Sequence, residues 1–352
     1  MYRLSDPDHP SDCENFYTQG VKRMGRTVLG LDVGHGYTKL SYRDNKSDEL
    51  VMRAFRSLAS RHTESEFART ARNTRMSASI VTVEVDGAKF DVDVSEHATI
   101  VRRQGDWNES SDFPQRPEYR ALIHAAVAST GLDHIDVLVA GLPVHTFQRY
   151  KAEIDNYLRH TISWERGQVT IGEVHVIPQP VGAMITLQAA GQGNLAGELS
   201  LLIDVGSFTT DWVVSRDLII DFDRSGGRPG GASHIYRSVA EGLSAQMGEP
   251  FEQLNLIEQA LRTGEPLRVY GAPVDLRPHQ KLADQAALET VRAMQARLGG
   301  TQDLTFLLAG GGGHLYRQAL AEVFPRNRVV ELEDPRYRNV VGFVLFGEQG
   351  GW

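Results

Sequence analysis

The sequence predicts an α/β protein of two related lobes, each a mixed sheet covered by helices, with a ligand site where the lobes meet. Three observations predict it. The stretch LLIDVGSFTTDWVV at residues 201–214 repeats the pattern of LGLDVGHGYTKLSY at 29–42: an apolar run, an Asp, a Gly-containing turn and a second apolar run. Downstream of each copy, strand-like and helix-like patterns alternate, the order in which mixed sheets are built. The chain has 352 residues, 41% apolar and 23% charged, which is long enough for two cores and ordinary in composition.

Taken in order, residues 27–34 and 37–42 form two short β-type runs around a turn. Residues 44–105 are polar and read as a small insert. Within it SIVTVEVDG and AKFDVDV pair as a hairpin at Asp86-Gly87, a dipeptide that readily takes the positive φ angles of a tight turn. After a turn-rich 106–117, PEYRALIHAAVASTGL sets Leu122, Ala125, Ala126 and Ser129 at helical spacing, with Pro117 at its start and Gly131 at its end. A buried strand IDVLVAGLPV, a helix over 147–161 and a strand VTIGEVHVIP follow. A helix at 181–190 leads to the second Asp-bearing strand and a hairpin return ending near Asp221. Helices are expected at 233–246, 251–262 and 278–298. The strand LTFLLAGGGG then enters a helix at 314–323, followed by RVVEL and a last helical segment at 339–347. This organises the chain as a polar tail over 1–26, lobe I over 27–180, lobe II over 181–338, and a segment 339–352 returning to lobe I.

Other readings set bounds. No apolar run approaches the ~18 residues that span a bilayer, and residues 1–26 lack the apolar core of a secretory signal, so the expected location is cytoplasmic. Met24-Gly25-Arg26 precedes the first strand, which leaves the first 23 residues as either a disordered tail or an over-long start. The single cysteine, Cys13, excludes an internal disulfide framework and a cysteine-clustered zinc site. A net charge of −8 argues against a general nucleic-acid coat while allowing a local basic patch.

Superposing Asp32 on Asp204 sets Val33-Gly34 on Val205-Gly206, Thr38 on Thr210 and Lys39 on Asp211. Each half thus offers a carboxylate at the end of a buried strand, then a turn of Gly and small polar residues whose N–H groups can face an anion. A carboxylate beside bound phosphates suits hydrated Mg²⁺, which takes few protein ligands, and Lys39 adds a point charge. One Asp-x-Gly turn is commonplace; two copies in the same place in each half point beyond a pair of structural hairpins. The glycines Gly310, Gly311, Gly312 and Gly313 join a buried strand to a helix near His314, a unit that presents N–H groups to an anion or a ribose but is common among α/β proteins. The chain has neither a dinucleotide-binding nor a P-loop glycine pattern.

Three such loops in this order resemble those of the actin/Hsp70/sugar-kinase ATPase superfamily, over about residues 27–350. The resemblance implies an actin-like ATPase fold, two RNase H-like lobes closing on ATP (or GTP) and Mg²⁺. It makes 29–42 the first phosphate loop, with Gly34, His35, Gly36, Tyr37, Thr38 and Lys39 toward phosphate. It makes 201–214 the second, with Gly206, Ser207, Thr209 and Thr210, and 307–316 the adenosine loop, with the four glycines and His314. VIPQPVGAM (176–184) and RNVVGFVLFG (338–347) are similar to the two inter-lobe connectors. By the same resemblance Asp32 and Asp204 hold Mg²⁺, Gln179 orients the attacking water, and Asp211 positions or polarises it. The plain alternatives are a Pro-bracketed turn at Gln179 and a carboxylate capping its own hairpin at Asp211. GGRPGGASHIYRSVAEGLSAQMG (226–248) is similar to a segment near the base, with Gly230 and Gly231 in the loop. Glu241 there faces the ribose or else stands on the solvent side of an amphipathic helix. His35 and Tyr37 are bulkier than the small residues usual in the first loop; a Tyr37 that crowds the γ-phosphate would slow hydrolysis and spare binding.

The hairpin insert, PEYRALIHAAV, the Gly-Gly-x-Ser-His helix entry and RNVVGF look most like the ParM/StbA plasmid-segregation actins. An Hsp70 would need a further substrate domain, an FtsA a terminal membrane helix where this sequence reads GEQGGW, and an MreB an apolar N-terminal anchor. The function implied is a cytoplasmic ATPase that binds ATP·Mg²⁺ between two lobes, polymerises into filaments and hydrolyses the nucleotide. Its partners would be further copies of itself and a DNA-bound adaptor protein, with DNA touched only indirectly and no membrane. The alternatives are a non-polymerising nucleotide switch and a small-molecule kinase of the same fold.

Overall fold

The computed structural model describes residues 25–44, 46–63, 79–95, 110–189, 198–216, 218–332 and 335–350. The expected N-terminal tail, up to residue 24, and parts of the insert lie outside them.

Lobe I is built on β1 (Val28–Val33), β2 (Tyr37–Arg43) and β3 (Leu50–Arg56), an antiparallel meander. A small sheet of β4 (Ala59–Arg61), β5 (Ile80–Val85) and β6 (Ala88–Asp93) follows; its β5–β6 turn carries the expected Asp86-Gly87, both at positive φ. Helix α1 (Pro117–Thr130), β7 (His134–Leu142), α2 (Val144–Leu158), β8 (Ile162–Trp164) and β9 (Gly167–Pro178) complete the lobe. The main sheet has the order β3-β2-β1-β7-β9-β8, with β7 parallel to β1 and β9 parallel to β7.

Helix α3 (Gln179–Ala189) leads to lobe II: β10 (Ser200–Val205), β11 (Thr209–Arg216), β12 (Ile219–Pro229), α4 (Ala232–Met247) and α5 (Leu254–Thr263). After these come the hairpin β13 (Leu267–Val269) and β14 (Ala272–Val274), then α6 (Gln280–Leu298), β15 (Thr305–Ala309), α7 (Arg317–Val323) and β16 (Val329–Glu331). The sheet order is β12-β11-β10-β15-β16, with β15 parallel to β10. Each lobe therefore has its third, second and first strands antiparallel, then two parallel strands beyond the first. The sequence repeat is a repeat of topology.

Some elements differ from their sequence reading. β3 belongs to the main sheet of lobe I and not to the insert, because its residues pair with β2 from Tyr37↔Arg56 to Arg43↔Leu50. β12 continues well past Asp221 to Pro229, since its Gly226 and Gly227 still pair with β11. The helix expected over 314–323 starts as a 3₁₀ turn, Gly313–Tyr316, before α7. The β13–β14 hairpin had no sequence reading.

Strand period explains where the site forms. On β1 the side chains of Leu29, Leu31 and Val33 enter the core of lobe I, with Leu122 and Ala126 of α1. Val28 belongs to a second cluster, with Val340, Phe343 and Val344, and Asp32 shares its face by alternation. On β10, Leu201, Ile203 and Val205 fill the core of lobe II, while Leu202 joins Ala183, Met184 and Leu187 of α3 on the face that also carries Asp204. One side of α3 thus packs on each lobe: Val181 and Ile185 against Val137 and Val139, Ala183 and Met184 against Leu202 and Leu307.

The last helix, α8 (Arg338–Glu348), is buried from Arg338 to Gly347 and packs on β1, β7 and α3. An apolar sequence of this kind, buried all round, needs a core on every side. The two connectors cross where Gly182 of α3 meets Gly342 of α8. A Cβ on Gly342 would strike the carbonyl of Gly182, and one on Gly182 the carbonyl of Asn339, so this crossing requires glycine.

Candidate functional site

The two hairpin turns close in the same way. Gly34 N–H donates to Tyr37 O (3.1 Å) and Gly206 N–H to Thr209 O (2.9 Å), while the register sets Asp32 opposite Lys39 and Asp204 opposite Asp211. Both carboxylates lie at the carboxyl ends of central strands, where α/β sheets bind ligands. Between the turns lies a cavity of about 430 Å³, within the range of small-molecule sites. Asp32, Lys39, Gln179 and Asp204 line it, with the first loop, the second loop and Gly310 to Gly312 of the third.

Asp32 is 2% exposed and fully engaged: Lys39 Nζ lies 2.7 Å from Oδ2, and Gln179 Nε2 donates to Oδ1 at 2.6 Å. Asp204 is 8% exposed and accepts from Asn339 Nδ2, 2.7 Å from its Oδ2. Burial pushes the Asp204 carboxyl up to about 6, against the pull of Lys39 and Asn339. Gly310, at φ +80°, fits against this carboxylate; any Cβ there would collide with its Oδ1. His35 reaches across the cleft: its ring lies 4.5 Å from that of Phe208 in lobe II and 4.9 Å from Phe113, and burial pushes its pKa down to about 4, so the imidazole is neutral.

Comparison with known proteins finds a match in each lobe. Residues 30–182 match the model of the actin-like proteins' N-terminal domain, and residues 202–322 that of the C-terminal domain of the archaeal MreB-like actin homologue. Together they span most of both lobes. Both lobes match models of actin-like proteins.

Solved structures share its fold. The archaeal actin homolog Ta0583 is 23% identical with a TM-score of 0.71, over 92% of this chain and 99% of that one. A non-polymerisable quadruple mutant of pCBH ParM is 20% identical with a TM-score of 0.71, over 92% and 99% of the two chains. A ParM from Clostridium botulinum, seen in a 15-stranded filament, is 21% identical with a TM-score of 0.70, over 93% and 100%. No curated protein matches the sequence.

This actin-like fold gathers most of the expected site residues at the cavity and sets others apart. Gly34, His35, Gly36, Tyr37, Lys39, Gly206, Ser207, Thr209, Gly310, Gly311, Gly312 and His314 join the two aspartates and Gln179 on its wall. Thr38 and Thr210 do not: they are 0% and 1% exposed, the former paired with Ser57 Oγ (3.0 Å) and the latter donating to Gly230 O (3.1 Å). Strand alternation turns them away from their neighbours Tyr37 and Thr209. Gly230 and Gly231 hold the second loop instead of lining the cavity, both donating to Phe208 O at 3.0 and 2.9 Å. The next two N–H groups, of Ala232 and Ser233, go to the carbonyls of Gly206 and Ser207, so the start of α4 is spent on protein acceptors. Gly313 is buried at the start of the 3₁₀ turn, and Glu241 is exposed on α4, away from the lining.

Asp211 is the larger departure. It is 3% exposed and caps neither its own hairpin nor the cavity wall. Oδ1 accepts the Val144 N–H at the start of α2 in lobe I (2.9 Å), with His145 Nδ1 3.4 Å away. A carboxylate at a helix N-terminus is favourably placed, and here it ties one lobe to the other. Residues that motif reading missed also line the cavity: Arg56, Phe208, Tyr236, Glu258, Arg262 and Arg336. Phe208 and Tyr236 stand inside the second loop and the 226–248 segment, whereas Arg56, Glu258, Arg262 and Arg336 come from separated stretches with no pattern of their own. Asn339 could have been found, since it stands within RNVVGF.

The residues present fit a magnesium nucleotide. Asp204 is a buried carboxylate held by one neutral donor, with Lys39 as its opposing charge and the carboxylates of Asp32 and Asp211 repelling it, and a cation beside it would offset its burial cost. Among the described residues no group of three or more His, Cys, Asp or Glu could hold a metal alone, and Mg²⁺ bound through phosphates and water needs none. Nε2 of His314, on the cavity wall, is buried without a partner, as a ligand-facing polar atom would be. No described helix is long and apolar enough to cross a membrane.

Proposed function

We propose that the chain binds a purine nucleoside triphosphate, ATP or GTP, with Mg²⁺ between its lobes, hydrolyses it, and self-associates into filaments that move DNA through a bound adaptor protein. The observation that carries the reading is the pair of equivalent strand–turn units meeting at one cavity, with Lys39 and Asp32 from one and Asp204 from the other. The first turn and Lys39 hold phosphate, Asp204 faces the hydrated cation, and Gln179, anchored on Asp32, is placed to orient water. Bound Mg²⁺ would draw charge from the phosphates; the chain's own residues position the parts. Two likenesses support it: an archaeal actin homolog has been solved in complex with ADP, and a ParM as a filament.

A non-polymerising switch is favoured by one specific observation: Asp211 is spent on α2, which leaves Gln179 without a second carboxylate at the water. Sedimentation and light scattering with ATP·Mg²⁺ and GTP·Mg²⁺, run alongside phosphate release, separate the readings. Pelleting with phosphate release supports the filament. Tight binding with neither supports the switch, and hydrolysis that needs a small acceptor supports a kinase.

A further inference from the structure

Three side chains on the cavity wall join the lobes apart from the bonds that the aspartates make. Tyr37 opens β2 and Arg56 ends β3, and the register sets them opposite one another on lobe I. Glu258 stands on α5 of lobe II. One carboxylate oxygen accepts the Tyr37 hydroxyl (3.0 Å), and the other accepts Arg56 Nη1 (3.0 Å). Arg56 also lies over the Tyr37 ring, 4.4 Å from its centre, and Arg336, ahead of α8, lies at 4.6 Å. The Arg56–Glu258 pair is 23% and 15% exposed, sheltered enough to matter and wet enough to open.

We propose that Tyr37, Arg56 and Glu258 form a gate that holds the cleft closed and sets how fast nucleotide enters and leaves. The proposal rests on the reading of the cavity as a nucleotide site. The covalent joins between the lobes are α3 and the segment leading to α8, and the gate belongs to neither, so a rotation about those helices that widens the cavity has to part it. Its bonds run between protein groups and exist without ligand. A gate of this kind slows entry and exit together, because it biases the closed state whether or not ligand is present. A direct ligand contact would slow exit alone. The geometry also gives Tyr37 a role other than crowding phosphate: its hydroxyl is turned to Glu258.

The test is stopped-flow fluorescence with N-methylanthraniloyl-ATP and Mg²⁺ on the wild type, Glu258→Gln, Arg56→Gln and the double variant. Each single substitution is expected to raise both association and dissociation rates about tenfold, as loss of ~1.4 kcal/mol from the closed state would. The double variant is expected to be no faster than either single one, since both break one interaction. Tyr37→Phe, the mildest change, is expected to raise both rates about threefold. Unchanged rates, additive effects, or faster dissociation alone would each overturn the gate. Hydrogen exchange on the nucleotide-free chain reads the same bridge without ligand. The turn at residues 34–37 and the segment 56–58, linked by the Ser57 N–H to Gly36 O bond, should exchange faster in Glu258→Gln, and unchanged exchange counts against the gate. If the wild type bound no labelled nucleotide while that exchange difference held, the nucleotide reading would fall and the cross-lobe bridge would stand.

Discussion

Asp32 and Asp204 hold equivalent places in the two repeats, yet their surroundings give them different parts. The residue seven positions on is Lys39 after Asp32, which neutralises it, and Asp211 after Asp204, which adds no positive charge. Asp204 is left with a buried charge and a pKa raised to about 6. A carboxyl whose folded pKa exceeds its unfolded value binds protons more readily when folded, so its contribution is most favourable below about 4 and is lost as pH rises through about 6. Asp204→Asn should therefore stabilise the ligand-free protein above pH 6, by no more than ~3 kcal/mol, with the gain shrinking toward pH 4. Urea denaturation of both proteins across that range checks it, and the same variant should lose Mg²⁺-dependent nucleotide affinity. His35 acts in the opposite sense: its lowered pKa favours the fold above pH 6.5 and costs stability as pH falls toward 4. Comparing variant with wild type cancels that term. Gln179→Ala should keep nucleotide binding and slow phosphate release ~10²-fold if the amide orients water; an unchanged rate in a single-turnover assay would remove Gln179 from the chemistry.

Among the elements, the crossing of α3 and α8 does most to position the site. Gln179 begins α3 and Asn339 lies in the first turn of α8, so the two helices deliver the amides that hold Asp32 and Asp204. Their approach at Gly182 and Gly342 leaves no room for a methyl group. Gly342→Ala should cost about 1–3 kcal/mol of stability through overpacking, measured by chemical denaturation. It should also disturb nucleotide binding more than a core substitution of equal cost placed deep in either lobe. Both helices were readable as elements, because they are long apolar runs. Their crossing was not: the glycines that permit it lie 160 residues apart, and each alone looks like an ordinary helical glycine.

At the scale of the whole molecule, each lobe has its own core, and the cavity wall is shared. Ligand that contacts both lobes binds only the folded, assembled chain. A hundredfold excess of ATP·Mg²⁺ over its Kd should thus add about 2.7 kcal/mol of stability, seen in calorimetry as a melting temperature several degrees higher, with the shift reduced in Asp204→Asn. A family resemblance marked Gln179; the sequence by itself determined the two-lobe plan, the three loops and the residues Asp32, Lys39 and Asp204. Local pattern carries those: a buried strand alternates with period 2, a turn needs glycine, and an internal repeat shows itself by self-comparison. Only the tertiary structure decided that Asp211 would cap α2, that Gly230 and Gly231 would brace the second loop, and that Tyr37 and Arg56 would meet Glu258. Those contacts join residues 67 to 221 positions apart, or exist only once α4 is set against the loop. Nothing in the local sequence encodes a partner supplied by the other lobe; its position follows from how two separately packed cores are held by the helices between them.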